Sequence, residues 1–568
     1  MTSDTNHHSA PRARLARLAV LTAAVAAMSA CGGDGGDGGD GGDGGDGGDG
    51  GGGATPPSPP PSGATPASTQ YYSFGYSRSN PPQSDYTLHI VDAGANPPQV
   101  VLSTPMSDNR FFAYGRLDAS SMQPAGLTLR DTGGPRTLVH VHAGRVYRIS
   151  LAKGSVPTPT LIASMTDACY IDAAYTYPLQ PAGDDAWIAI VDAGADGNCA
   201  ATADNRTVFA RASSTGATPP TALPKGARLL NAFTDVDGRL QGFLVHDRST
   251  SPARLRFYQP DLVSATDVQG ASAATMVRRL GTNQWVSADH DRYLDIDGRL
   301  HRISWSGTGA SVSAALHTFS GNDISRWIVS DRPATYLADA RRLYRLQGDA
   351  APVLVAELPV EDGEIVGLTQ SAARLVVTQR TSRLRYTLRS VAKSNGTVQT
   401  IAALPDNRAV WTVPYVSGER LLYTAAPQDA AQFEQIYRAN ADGSGVTLVS
   451  DRAQSAGIAS DDTFSPNAPW NVRSAFYCLV PAGATDCRNG TLRQVDIADG
   501  AEKEIGKFAS GGAQADWQPF SIDTGGQGPR PLMVASYTSS SPTQSWYDMY
   551  MLTRDVAGSL VRVTQLVP

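Results

Sequence analysis

Short alternating segments dominate the chain from residue 71 onward. In residues 86–90 the apolar side chains of Tyr86, Leu88 and Ile90 alternate with more polar positions and would share one face of a strand. Similar segments, interrupted by Gly, Asp, Asn or Pro, continue to the end of the chain. None of them has the period of an amphipathic helix three turns long, so the pattern predicts an all-β fold.

One short strand pattern recurs in nearly the same register. It occurs at Arg145–Ile149, Arg299–Ile303 and Arg342–Leu346, with a looser copy at Gln435–Ala439. The copies begin 154, 43 and 93 residues apart. These spacings fit three, one and two repeat units, each of roughly 43–51 residues.

Two of these copies extend further back along the chain. Residues 284–303 align with residues 326–346 with one insertion, and the alignment matches Trp285 with Trp327 and Tyr293 with Tyr336. A four-stranded repeat of about 40–50 residues is typical of a β-propeller blade. A β-sandwich is the alternative, but it does not require such an internal repeat.

Turn residues support the same architecture, and they leave the number of blades open. The pairs Asp237-Gly238 and Asp297-Gly298 supply the positive φ angles that tight hairpins require. Up to ten strand clusters can be counted, although residues 167–225 form a poor one with long loops. We expect a β-propeller of seven or eight four-stranded blades, and two smaller propellers remain the alternative.

The segment Gln435–Gly445, continuing to Leu448–Asp451, resembles the blade repeat of TolB-type (WD40-like) propellers. Phe464–Asn467 resembles the start of that family's next blade, and Ala515–Phe520 is a weaker match. The resemblance implies the propeller fold and, in that family, periplasmic contacts between proteins. TolB itself has an N-terminal α/β domain that this chain replaces with other sequence, which argues against the same role.

The N-terminus has the pattern of a bacterial lipoprotein signal. A basic segment at 11–17 precedes a 13-residue apolar run at 18–30, which is too short to span a bilayer. The run ends at Met28-Ser29-Ala30-Cys31, which resembles a lipobox. We therefore expect a signal peptide at 1–30 and lipid attachment at Cys31, with an ordinary signal peptide and an incidental cysteine as the alternative. Gly32 favours the outer membrane by resemblance to the sorting rule of enteric bacteria.

A polar linker follows the cysteine. Gly-Gly-Asp repeats fill residues 32–53 and a Pro-rich stretch occupies 56–63, so residues 31–69 are expected to be a disordered stalk before a propeller domain at 70–568. The chain of 568 residues has a formal net charge of −6, and six aspartates lie in 31–53. The folded body is therefore close to neutral and lacks the basic excess of a nucleic-acid-binding protein.

Four further cysteines fit an exported protein. They are Cys169, Cys199, Cys478 and Cys487, and an even number in such a protein predicts two disulfides. Three pairings are possible, of which proximity favours Cys169 with Cys199 and Cys478 with Cys487. A zinc site is the alternative, but the sequence has no CxxC motif and no nearby pair of histidines.

Motifs for catalysis are scarce. The sequence has no GxSxG, HExxH or P-loop motif. The segment Asp289-His290-Asp291, with Asp295 close behind, could form an acid–base or metal site, although a polar loop is favoured. His140 and His142 alternate on one strand face as metal ligands would, but a solvated or partly buried strand is favoured.

Two aspartate-rich turns resemble the opening of a calcium loop. They are 235–238 and 295–298, and neither continues with the ligand series and closing Glu that calcium requires. We assign them to turn chemistry. No catalytic, cofactor-binding or metal-binding residue is therefore predicted, and no cofactor is expected.

These features predict a lipoprotein of the cell envelope, anchored through acylated Cys31. Its propeller is expected to act as a non-enzymatic binding or scaffold module for an envelope protein or polymer, because loops on a rigid scaffold usually carry recognition. The alternative is a propeller-based hydrolase or lyase that acts on carbohydrate or peptide at the central funnel. Residues of such a site would come from different blades, so sequence spacing does not reveal them.

Overall fold

A computed structural model describes most of the chain between Tyr72 and Arg562. Its larger gaps are residues 79–85, 93–98, 116–135, 177–185, 194–204, 213–218, 281–291, 460–473, 509–514, 523–529 and 539–544. The expected signal peptide, Cys31 and the stalk lie outside the described residues, and their boundaries stay predictions. In the described part no helix is long and apolar enough to cross a bilayer.

The protein is a β-propeller, and its described strands form nine antiparallel sheets. One sheet is eight-stranded and contains two blades, so ten blades follow one another along the chain. No α-helix occurs among the described residues. The first five blades consist of the following strands: β1 Tyr72–Arg78, β2 Tyr86–Asp92 and β3 Gln99–Met106; β4 Phe111–Gly115, β5 Arg136–His142, β6 Arg145–Ser150 and β7 Pro159–Ser164; β8 Ala168–Thr176, β9 Ala186–Asp192, β10 Arg206–Ala212 and β11 Thr221–Ala222; β12 Ala227–Thr234, β13 Leu240–Asp247, β14 Arg254–Tyr258 and β15 Ala265–Asp267; β16 Val277–Arg279, β17 Tyr293–Ile296, β18 Arg299–Ser306, β19 Gly309–Val312 and β20 His317–Thr318.

The second half of the chain repeats this order. Blades 8 and 9 share the long strand β33, whose first half pairs with β32 and whose second half pairs with β34. Blades 6 to 10 consist of the following strands: β21 Arg326–Ser330, β22 Thr335–Asp339, β23 Arg342–Gln347 and β24 Ala350–Glu357; β25 Glu364–Gln370, β26 Arg374–Arg380, β27 Tyr386–Ala392 and β28 Val398–Ala403; β29 Arg408–Val410, β30 Tyr415–Ser417, β31 Arg420–Pro427, β32 Glu434–Asn440 and β33 Thr447–Ala459; β34 Ser474–Leu479, β35 Thr491–Asp496 and β36 Glu502–Lys507; β37 Ala515–Ile522, β38 Arg530–Thr538, β39 Ser545–Met551 and β40 Val561–Arg562.

The ten blades exceed the seven or eight expected from the sequence. The segment 167–225, which has a weak strand pattern, forms a complete four-stranded blade from β8 to β11. Its long connections interrupt the sequence pattern, but they do not interrupt the pairing of β9 with β8 and β10. Hydrogen bonding between strands, rather than the spacing of strands along the chain, therefore determines the number of blades.

The repeated pentapeptides all occupy the same position in their blades. Arg145–Ile149 lies in β6, Arg299–Ile303 in β18, Arg342–Leu346 in β23 and Gln435–Ala439 in β32. Apart from the short extra strand β30, each is the third strand of its blade, in blades 2, 5, 6 and 8. The spacings of three, one and two units are therefore confirmed.

The apolar core is divided into clusters that lie between neighbouring blades. Val139 of blade 2 packs in one cluster with Ile188 of blade 3, and Leu300 of blade 5 packs in another with Ile328 of blade 6. Alternation of side chains across each strand gives every inner blade two apolar faces, one for each neighbour. The first blade contacts the last one through β1 and β39, which closes the order of blades.

Candidate functional site

The side of the propeller on which first strands begin and second strands end is called the upper face here. In blade 6 this edge carries a row of alternating charge across all four strands. Arg326 pairs with Asp339, Asp339 with Arg342, and Arg342 with Glu357 in the strand register. The guanidinium of Arg342 also lies 3.4 Å from the Glu357 carboxylate. Antiparallel order brings these four residues to one edge, although 31 positions separate the first from the last.

Arg326 connects blade 6 to blade 5. Its guanidinium forms an ion pair with the buried Asp295 of β17, and it lies 3.1 Å from an oxygen of Asp323. Its Nη2 donates a hydrogen bond to the carbonyl of Gly321 at 2.9 Å, and the group lies 4.7 Å above the ring of Phe319. Nearly every donor of Arg326 is used within the protein, so this residue fixes the geometry of the face.

A second arginine completes the junction. Arg278, on the first strand of blade 5, forms an ion pair with Asp323, which lies in the 3₁₀ turn Asp323–Ser325 before β21. Two arginines thus face the two carboxylates of Asp295 and Asp323. Their charges cancel, and the turn is held between the first strands of two blades.

Asp339 accepts four hydrogen bonds, one from His317 of blade 5 and three from the connection between blades 5 and 6. The ring of His317 donates at 2.9 Å, and the backbone N–H groups of Ser320 and Gly321 donate at 2.9 and 2.8 Å. The Ser320 hydroxyl donates at 3.0 Å. Burial opposes the charged form, but these hydrogen bonds outweigh it and hold the pKa of Asp339 below its ordinary value.

Blade 7 also has an aspartate carboxylate that is held by several donors at the start of the blade. Asp362 ends the 3₁₀ turn Val360–Asp362 before β25 and forms an ion pair with Arg389. Arg385 lies 3.6 Å away, and the Thr387 hydroxyl donates at 3.1 Å. Blades 6 and 7 therefore share an acidic residue that fixes the connection entering the blade.

Four apolar side chains project from this charged framework. They are exposed by 44%, 56%, 70% and 46%, and we call them the upper patch: Met276, Ile324, Val360 and Leu384. All four lie in upper-face connections of blades 5 to 7. Asn322 donates to Glu364 at 3.4 Å and so links the turn that carries Ile324 to blade 7.

The framework beneath the upper patch is suited to positioning loops. The buried carboxylates of Asp295, Asp339 and Asp362 are each held by arginine or histidine. Within the described residues no group of three or more His, Cys, Asp or Glu side chains could hold a metal ion. Charges that are neutralised in place stabilise an arrangement of loops, and they leave the exposed apolar side chains as the groups available for contact.

Asp295 lies in an environment that the sequence pattern did not predict. Asp295 is in strand β17, buried and paired with Arg326, rather than in a polar loop. The segment 289–291 lies outside the described residues. His140 and His142 share one face of β5, and this strand is partly buried, as expected; His140 itself is completely buried, whereas His142 is partly exposed.

The turn prediction can be compared with the structure at one of its two positions. Asp297 and Gly298 join β17 to β18 with φ angles of 50° and 76°, as a tight hairpin requires. The Asp297 carboxylate accepts a hydrogen bond from the backbone N–H of Met276 at 2.7 Å, which fixes the backbone of this upper-patch residue. The corresponding turn at 235–238 lies outside the described residues.

Cys478 and Cys487 are joined by a disulfide with a Cα–Cα distance of 6.2 Å. The bond closes the upper-face connection between β34 and β35. Arg452 donates to the carbonyls of Val480 and Pro481 in the same connection. Cys169 is also disulfide-bonded. Cys199 lies outside the described residues, so its pairing with Cys169 stays a prediction.

Sequence reasoning missed the buried aspartates at the ends of second strands. Asp192, Asp247 and Asp339 end β9, β13 and β22, and Asp192 lies 2.9 Å from the Nε of Arg206. A signal was present, because the sequence Ile-Val-Asp-Ala-Gly-Ala occurs at both 90–95 and 190–195. Both copies begin within the second strand of a blade, and the aspartate ends that strand after a run of apolar residues.

Comparisons with known proteins concern the fold. No protein-family model matches the chain, and no curated protein matches it. An oligogalacturonate lyase in complex with manganese is 14% identical over 57% of this chain and 82% of its own, with a TM-score of 0.31. The β-propeller domain of the Trilobed protease from Pyrococcus furiosus is 10% identical over 70% of this chain and 98% of its own, with a TM-score of 0.27. A TolB-like protein from Agrobacterium tumefaciens is 14% identical over 44% of this chain and 88% of its own, with a TM-score of 0.24.

Proposed function

We propose that this chain is a lipid-anchored envelope protein whose propeller binds another envelope protein through the upper patch. One observation carries the proposal: Met276, Ile324, Val360 and Leu384 are exposed on one face above a network of neutralised charges. Protein interfaces place apolar side chains, including Met, at their centre and charged groups at the rim. A rigid base lowers the entropy cost of binding, and the ion pairs around Arg326 and Asp362 supply it.

The charges at the rim give the patch specificity rather than a strong preference for one sign. Arg299 and Arg383 are exposed on this face, and so are Asp297 and Glu361. Such a balanced rim fits a protein partner of mixed surface charge better than a polyanion, which would require an excess of arginine or lysine. An enzymatic role has no comparable support, because Asp295, Asp339 and Asp362 are held by arginine or histidine.

Site-specific photo-crosslinking in the native envelope tests the patch. A photoreactive amino acid is placed at Ile324 or Val360 in the full chain, and Val263 serves as the matched control. Val263 is 81% exposed and lies in the turn between β14 and β15, on the opposite face. We expect one heavier adduct from positions 324 and 360 and none from position 263.

A charged substitution separates specific binding from chance proximity. Val360→Asp should abolish the adduct formed at position 324, because a desolvated charge opposes an apolar contact. Val263→Asp should leave that adduct unchanged. Adducts of equal yield from both faces, or an adduct that survives Val360→Asp, would rule out the upper patch as the binding surface.

The anchor is tested separately. Acylation of Cys31 would hold the body at the membrane because more than one acyl chain gives stable binding. We expect Cys31→Ala to move the protein from the membrane fraction to the soluble fraction without changing its circular dichroism spectrum. Unchanged membrane fractionation of Cys31→Ala would exclude lipid anchoring at this residue.

A further inference from the structure

His140 is a buried histidine at the boundary between blades 1 and 2. On β5, Val139 and Val141 pack with Ile188 of blade 3. Because side chains alternate across a strand, His140 points to the opposite side, toward blade 1. Strand β3 of blade 1 contacts β5 on this side.

Neither ring nitrogen of His140 has a hydrogen-bond partner in the described part of the chain. Its ring stacks on Tyr147 of β6, with ring centres 5.4 Å apart and an angle of 17° between the planes. A neutral imidazole is tolerated there as a flat, mainly apolar group. Burial, and then the nearby His142, lower the pKa of His140 to about 4.

The described surroundings offer no negative charge to a protonated ring. His142 lies two residues along β5, and Arg145 is its cross-strand neighbour on β6. The cross-strand neighbours of His140 itself are Tyr147 on β6 and Phe111 on β4. The sequence of β3, residues 99–106, contains no titratable side chain. Among the described side chains of β3, β5 and β6, the charged groups are therefore cationic or become so in acid.

We propose that His140 is an acid-sensitive latch that holds blade 1 against blade 2. Protonation gives the ring a positive charge and a second N–H donor in a buried space where neither ring nitrogen has a hydrogen-bond partner among the described residues, so the protonated ring must reach water. Reaching water requires blade 1 to separate from β5. Blade 1 also contacts the last blade, so this opening occurs beside the closure of the propeller.

Hydrogen exchange of the full chain tests the latch. Protection factors of the amides in β3 and β5, corrected for intrinsic exchange rates, are compared at pH 7 and pH 5. In an opened state His140 has an ordinary histidine pKa and binds a proton at pH 5, whereas the closed state excludes that proton. Acid therefore favours opening, and the protection of the β3 and β5 amides should fall by roughly tenfold or more from pH 7 to pH 5. Amides of β26 in blade 7 should keep their protection over the same range.

His140→Phe is the decisive variant, because it keeps a flat ring beside Tyr147 and cannot be protonated. Its β3 and β5 amides should show the same protection at both pH values, whereas His142→Gln should retain most of the acid response. An equal loss of protection in His140→Phe, or no loss in the wild type, would overturn the proposal. If His140→Phe does not fold, the wild type still decides the question, because equal losses in β3 and β26 would indicate global acid unfolding.

Discussion

His317 donates a hydrogen bond from Nε2 to an oxygen of Asp339 across 2.9 Å. The histidine belongs to β20 of blade 5 and the aspartate ends β22 of blade 6. The same carboxylate accepts the backbone N–H of Gly321 in the connection between the two blades. A single buried carboxylate therefore joins two blades and the segment that links them.

Replacing Asp339 should destabilise the protein in a pH-dependent way. Asp339→Asn removes a charged acceptor from several donors and should cost about 2–3 kcal/mol near pH 7. The pKa of Asp339 is lowered on folding, so its contribution is present above the ordinary aspartate pKa and is lost as the pH falls through the folded value. Urea unfolding between pH 2.5 and pH 7 should therefore show a steeper acid loss in the wild type than in the variant.

Asp349→Asn is the matched control for this experiment. Asp349 is largely exposed and lies 3.3 Å from Arg302, so its removal should change stability by less than about 1 kcal/mol. An equal loss in the two variants would show that the buried hydrogen bonds of Asp339 contribute no more than an exposed ion pair.

Removing Arg326 should lower the free energy of unfolding more than removing its partner Asp295. Arg326→Met leaves the Asp295 carboxylate buried without its cation and should cost about 3–5 kcal/mol. Combining it with Asp295→Asn should recover part of this loss, because the uncompensated charge disappears. A double-mutant cycle measured by urea unfolding gives the coupling energy between the two residues.

An exposed ion pair provides the comparison. Arg254 lies 3.1 Å from Asp267, and both side chains are partly exposed. Arg254→Met should cost less than about 1 kcal/mol. Additive effects of the Arg326 and Asp295 substitutions would contradict the structural junction described between blades 5 and 6.

Alanine at Gly396 should lower the free energy of unfolding more than alanine at Gly418, which also lies in a turn. Its φ angle is +73°, and a Cβ atom there would lie 2.0 Å from the carbonyl oxygen of Val355 in the preceding blade. Gly418 has a φ angle of +57°, but no atom lies within 4 Å of the position that a Cβ atom would take there. Alanine should cost about 1–2 kcal/mol at either position through backbone strain. Overpacking should add roughly 1–3 kcal/mol at Gly396 alone, as measured by thermal unfolding.

The disulfide between Cys478 and Cys487 should stabilise blade 9. Both cysteines are buried, and nine positions separate them in the sequence. The chain-entropy model gives about 2.5 kcal/mol for a loop of this size. The double variant Cys478→Ala/Cys487→Ala should melt at a lower temperature than the wild type under oxidising conditions.

Reductant distinguishes the two expected disulfides. It should lower the melting temperature of the wild type, and a smaller decrease should persist in the double variant because Cys169 is also disulfide-bonded. A double variant that melts like the oxidised wild type would show that the Cys478–Cys487 bond contributes no stability.

The repeat was readable from sequence because it depends on local geometry. Arg299–Ile303 and Arg342–Leu346 occupy the same strand position in successive blades, and Tyr293 and Tyr336 face the equivalent residues Arg302 and Arg345. Alternation within a strand and the turn residues between strands are both encoded within a few positions. The blade count was wrong because long connections in 167–225 conceal a strand order that hydrogen bonding preserves.

The candidate site was not readable in the same way. Arg326 and Asp295 lie 31 positions apart and belong to different blades, and nothing in either local sequence indicates the pairing. The four residues of the upper patch come from connections in three blades, where each looks like an ordinary exposed apolar residue.

The sequence by itself determined the β class, the recurring third strand and the expectation of a propeller, because strand alternation and tight turns are properties of neighbouring residues. Only the tertiary structure decided that the described strands form ten blades, that Asp295 is buried against Arg326, and that His140 is completely buried. Those facts depend on which blades become neighbours, and that choice is made by apolar burial and hydrogen bonding between segments far apart in the chain.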